Sequence, residues 1–142
     1  MTDKLELIQR LDTAHHEVLA AVQDFTQAQF NSPGPMGDWT AKDMFGHLAF
    51  WNWEAVRGIE QISRGERPEN WLLEAFDEIN GREAATRRNL SLPAVMDDFR
   101  RSQKALAATL LRLPDSELDK TTPEKTKSGK SIIGLSLEQV AW

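Results

Sequence analysis

Apolar side chains recur every three or four positions along most of this chain, the mark of helices that each bury one stripe. Ile8, Leu11, His15, Val18, Val22 and Phe25 form the first series, a heptad-like seam. Its helix is expected to start at Thr2 or Asp3, with Glu6 able to complete a capping box. It is expected to break at Asn31-Ser-Pro-Gly-Pro-Met-Gly37, where two prolines and two glycines act as punctuation. Met44, Leu48, Trp51, Ala55, Ile59 and Ile62 mark a second, stronger stripe. Thr40 precedes it and Asp43 lies three residues on, so the pair reads as a near capping box. Trp39 is placed to close over the start of that helix.

Residues 63–70 read as a polar loop, and a third helix is expected over residues 71–89 with Leu72, Phe76, Ile79 and Leu90 as markers. Its pattern is weaker, and Gly81 inside it costs roughly 1 kcal/mol against Ala. Ser91 is a good cap and Pro93 suits a first turn, opening a fourth helix. Val95, Met96, Phe99, Leu106, Leu110 and Leu113 mark that helix, and Pro114 with Asp115 ends it. Residues 119–130 read as a flexible linker. Beyond it Ile133, Leu137 and Val140 keep helical spacing over residues 131–142. That piece spans roughly 18 Å, against roughly 30 Å for the earlier helices. No strand pattern competes. The expectation is all-α: an up-down four-helix bundle with its last helix short or truncated, as a single domain over residues 1–142.

Composition narrows the function. The chain has 142 residues, enough for one well-filled core. It has no cysteine, so disulfides, thiolate metal sites and a thiol nucleophile of its own are excluded. Any thiol chemistry would use a thiol from a substrate. A net charge of −5 argues against nucleic acid, which needs a concentrated basic face. The opening Met-Thr-Asp-Lys-Leu-Glu lacks a signal-peptide core and no run is long enough to span a bilayer. A cytoplasmic location without a membrane partner is therefore expected.

Histidine is the sharpest chemical lead. His47 sits at the edge of the second stripe beside Met44, Leu48 and Trp51, so it must be hydrogen-bonded, bind a ligand or metal, or lean out to water. His15 occupies a seam position on the first helix, while His16 lies about 100° further round and is expected to be wetter. The two inward histidines could face one pocket, but a metal site needs three or more convergent donors. The Glu-x-x-His pairs of di-iron bundles and His-Glu-x-x-His are both absent. Gly129-Lys-Ser131 resembles the tail of a phosphate loop, yet Glu124 stands where that loop needs glycine, so it reads as linker. Arg87-Arg88 and Arg100-Arg101 read as solvated faces with weak ion pairs to Glu83, Asp97 and Asp98. Phe50 and Trp53 put aromatics on a further face of the second helix, read as core and a subunit contact or, alternatively, as a wall for a small apolar ligand.

Trp39-Thr-Ala-Lys-Asp-Met-Phe-Gly-His47-Leu-Ala-Phe-Trp51 resembles the Trp-Ser/Thr-x-x-Asp-x-x-x-His-Leu-x-x-Trp signature of the DinB-like (YfiT-like) four-helix bundles. Phe76-Asp-Glu-Ile-Asn80, with Arg82 and Arg87-Arg88, is similar to the Asn-centred motif of a subgroup, and Leu113-Pro-Asp-Ser-Glu-Leu118 to the family's next loop. The resemblance implies a homodimer and a divalent metal (zinc, nickel or iron) held by three histidines, one of them at His47. The other two form a His-x-x-x-His pair on the last helix. Residues 131–142 contain no histidine, and Glu138 could offer one oxygen, so the implied metal site is incomplete in this chain. The implied function is a metal-dependent enzyme acting on a small molecule, either a hydrolase or a transferase using bacillithiol, mycothiol or glutathione. The alternative is a non-catalytic bundle that binds a small molecule or works through its dimer. His47 is the metal candidate, Trp51, His15 and Asn80 are the candidates for lining a substrate, and no catalytic residue is assigned.

Overall fold

The computed structural model describes residues 4–33, 38–66, 76–114 and 116. Five helices run through them: α1 (Lys4–Ala21), α2 (Gln27–Phe30), α3 (Ala41–Ser63), α4 (Phe76–Arg87) and α5 (Leu92–Arg112). The protein is an all-α bundle whose central pair is α3 and α5. Pro33 and Thr40 make an isolated antiparallel bridge, and the described residues contain no strand. None of the described helices is long and apolar enough to cross a membrane. Residues 1–3, the expected linker at 119–130 and the expected last helix at 131–142 lie outside the described residues.

The start of α3 is fixed by a reciprocal capping box. The Thr40 backbone N–H donates to the Asp43 carboxylate at 3.1 Å, and the Asp43 N–H donates to the Thr40 hydroxyl at 3.0 Å. Two of the helix's unpaired amide ends are thereby satisfied. Gly65 closes the other end with φ of +78°, a conformation that a Cβ disfavours, and lets the Glu66 N–H reach back to the Gln61 carbonyl at 2.8 Å. Between these caps the stripe is wider than the periodicity predicts. Phe45, Ala49, Phe50 and Asn52 are buried along with Leu48, Trp51, Ala55 and Ile59, because α3 is flanked by α2, α4 and α5.

Ser91 caps α5 as expected, accepting from the Ala94 N–H at 3.2 Å, with Pro93 in the first turn. Val95, Met96, Phe99, Leu106 and Leu110 form its buried face. Two polar residues share that face. Asn52 Nδ2 donates to Ser102 Oγ at 3.1 Å, and Ser102 Oγ donates to the Phe99 carbonyl at 2.8 Å, so the buried polar groups are paired across the central interface. Trp53 Nε1 donates to Asp98 Oδ1 at 2.9 Å on the same interface.

The first helix is shorter than its seam. It ends at Ala21; Val22, Gln23 and Asp24 turn, and Thr26 then caps the four-residue α2. Thr26 and Gln29 form a second reciprocal box, at 2.7 and 3.1 Å. That local pairing outcompetes continuation of the helix, while Val22 and Phe30 still reach the core beside Phe45. The third helix is described from Phe76 and stops at Arg87; its expected first turn at 71–75 lies outside the described residues. Ile79 and Ala84 are buried, but the expected marker Leu90 lies past the helix and is 44% exposed.

Candidate functional site

His47 stands on the second turn of α3, positioned by the Thr40–Asp43 box one helical stretch before it. Its ring meets Trp39 edge to face, with centroids 5.2 Å apart and planes at 62°. The imidazole is half-buried, and burial holds its pKa below the ordinary 6.5, which keeps it neutral at pH 7. The expectation that Trp39 closes over the start of this helix matches that contact.

One turn further, Trp51 is 2% exposed and its Nε1 donates to Asn80 Oδ1 at 2.6 Å. Two of the substrate-side candidates are thus joined to one another, α3 to α4. The same helix pair is held by Arg87, whose guanidinium lies 5.4 Å from the Phe50 ring centroid and bonds Glu83 at 2.9 Å. Arg87 is therefore not the solvated residue the sequence suggested; its side chain is only 19% exposed. It can lie this close because residue 46 is glycine: a Cβ there would stand 3.1 Å from the Arg87 Cδ. Phe50 is buried under it, and Trp53, half-buried, is tied to Asp98. Asp97 and Arg101 do form the expected weak surface pair, at 3.6 Å with both side chains exposed.

His15 is elsewhere. Its ring stacks on Phe99 at 4.6 Å between centroids and 14° between planes, and it lines a cleft between α1, α3 and α5 with Leu48, Asn52 and Gln103. His47 is not among that cleft's walls, so the structure does not bring the two inward histidines into one pocket. Spacing within each helix set which side each ring leaves from; it could not set how the helices rotate against one another. His16 is wet, as expected: 71% exposed, with Nδ1 2.8 Å from the Asp12 carbonyl. Among the described residues, no group of three or more His, Asp or Glu side chains could hold a metal ion. Glu138 and the Gly129-Lys-Ser131 stretch lie outside the described residues.

Sequence reasoning missed Asn52 and Arg87 as site-building residues. Asn52 had a readable signal, since Phe45, Leu48 and Asn52 share helical spacing. Arg87 had none, because its burial depends on a glycine forty residues away in sequence.

Compared with known proteins, residues 11–139 match the family described as the mycothiol maleylpyruvate isomerase N-terminal domain. The match takes in His15, His47, Trp51 and Asn80. No curated protein and no solved structure matches the chain.

Proposed function

The chain belongs to the mycothiol maleylpyruvate isomerase N-terminal domain family, within the DinB/YfiT-like four-helix superfamily, and on that premise we propose that it is an enzyme using a low-molecular-weight thiol on a small organic molecule. The observation that carries the reading is His47, a half-buried neutral imidazole against Trp39 on the helix that bears the family's signature. With no cysteine in the chain, the sulfur must arrive with a substrate. A neutral imidazole can take the proton of an incoming S–H, leaving the thiolate that is the nucleophile. Trp39 shields that exchange from water, and the Trp51–Asn80 pair supplies the adjacent wall. His15 lies in another cleft and is given no part in this step.

A divalent metal belongs to the family reading, and His47 would be one ligand. The described donor set does not fit one: a single imidazole is present where three or more donors are needed. No step is therefore routed through a metal. A homodimer and a cytoplasmic setting complete the proposal.

The test is turnover of maleylpyruvate with mycothiol, and with glutathione or bacillithiol in parallel. The expected result is thiol-dependent loss of substrate that His47→Ala lowers at least 100-fold while helicity by circular dichroism is kept. No turnover with any of the three thiols would favour the second reading, a non-catalytic small-molecule-binding or dimeric bundle. The thin donor set around His47 is the observation that supports that reading.

A further inference from the structure

The cleft between α1, α3 and α5 contains an unusual pairing of chemistry and space. His15 Nδ1 is buried and has no hydrogen-bond partner among the described residues. A buried polar atom in that condition is costly unless something completes its bonding. About 30 Å³ of the cleft is open to the centres of water molecules, which is room for about one of them. Besides His15, the polar walls are Asn52 and Gln103; Leu11, Leu48 and Leu106 are among the apolar ones. The Nδ1 itself is shut off from that space.

We propose that His15 is the docking joint of α1: with its Nδ1 shut away from both water and any partner among the described residues, the joint closes only around the neutral imidazole. Asn52 is already committed, donating to Ser102, which donates to the Phe99 carbonyl. The ring's face lies on Phe99, and the His16 ring meets it edge to face at 5.9 Å between centroids. The helix it secures is lightly held. Leu7 and Leu11 are its buried residues, and Lys4 Nζ donates to the Leu111 and Leu113 carbonyls at its far end.

Charge at this ring has to be rehydrated, and undocking α1 is the local way to do it. Burial is the main force holding the His15 pKa below 6.5, followed by repulsion from His16; Asp12 pulls it up and Arg100 pushes it down. Those are the charged groups around it: Asp12 and His16 on α1 itself, Arg100 on α5. From α3 the cleft is lined by Leu48 and Asn52, neither of which titrates. A cation over the Phe99 face gains some attraction, but the dry walls outweigh it. The sign follows. The undocked ring takes its proton near 6.5, the docked ring only at lower pH, so docking stability present above 6.5 is lost as pH falls through the docked value.

Amide hydrogen exchange on the intact chain tests this, read as protection factors at pH 7.5 and pH 5.5. Protection in α1 is expected to drop severalfold on acidification, by no more than about tenfold for one ring that takes its proton near 6.5 when undocked, while α5 changes less than twofold. His15→Phe keeps the aromatic contact and removes both nitrogens; its α1 protection should be the same at both pH values. Equal protection of wild-type α1 at both pH values, or a His15→Phe variant that keeps the drop, overturns the proposal. Should that variant fail to fold, imidazole nitrogen NMR on the wild type decides: a His15 titration midpoint at or above 6.5 overturns it, and one below supports it.

Discussion

α3 and α5 form the most extensive helix contact among the described residues, and the large side chains between them are the most completely buried of those described: Phe45, Ile59, Val95, Leu106 and Leu110, with Ser102 paired to Asn52 among them. α1 covers the same core from one side with two buried leucines and a histidine that faces a cleft. Both regions show the same apolar period in sequence. They differ in what interrupts it. Along the central pair Asn52 and Ser102 are bonded to one another across the interface and Thr109 donates to the Ala105 carbonyl of its own helix, so desolvation is compensated. At α1 the interruption is a titratable ring whose Nδ1 has no such partner. A seam with the right period therefore specifies that a helix docks, while the polar residue within it sets how firmly.

The contrast is sharpened by four substitutions, in falling order of effect on urea unfolding. Phe45→Ala removes a fully buried ring that meets Phe30 and Phe99 and should cost about 3–5 kcal/mol. Leu11→Ala should cost less, about 2 kcal/mol, because α1 can settle into the space, and exchange should show α1 opening alone. A cost equal to that of Phe45→Ala, with all helices opening together, would erase the distinction between the two regions. Trp51→Phe leaves Asn80 Oδ1 without its donor and should cost about 1 kcal/mol, with faster exchange confined to α4. Gly81→Ala should stabilise by about 0.5–1 kcal/mol, since a Cβ there meets nothing within 4 Å and α4 gains a better helix former. A destabilised Gly81→Ala protein would show that α4 needs its glycine for a contact outside the described residues.

Much of this was legible in the sequence. Thr40 with Asp43, and Ser91 with Pro93, set the starts of α3 and α5 by purely local bonding, which is why they could be read. The apolar markers of α5 were read for the same reason: that helix buries one face, and one face is what periodicity reports. α3 is flanked on several sides, so a single-stripe reading left out Phe45 and Ala49. The break after Ala21 was hidden by Val22 and Phe25, which keep the seam's period although the chain has already turned; Thr26-Gln-Ala-Gln29 was the overlooked signal. The candidate site was read less well. His47 and Trp51 were visible as neighbours on one helix, with Trp39 just ahead of its first turn. The Trp51–Asn80 bond, the Arg87–Phe50 contact and the separation of His15 from His47 depend on rotation and spacing between helices, which no single helix encodes.

The indole of Trp39, set edge to face against His47, gives the protein a built-in optical probe. Any molecule that engages that imidazole has to touch or displace the indole, changing its polarity and its quenching. Intrinsic emission, compared between the wild type and Trp39→Phe to subtract the other tryptophans, would then report occupancy without a label. A library of thiols and small acids could be screened this way before any reaction is known.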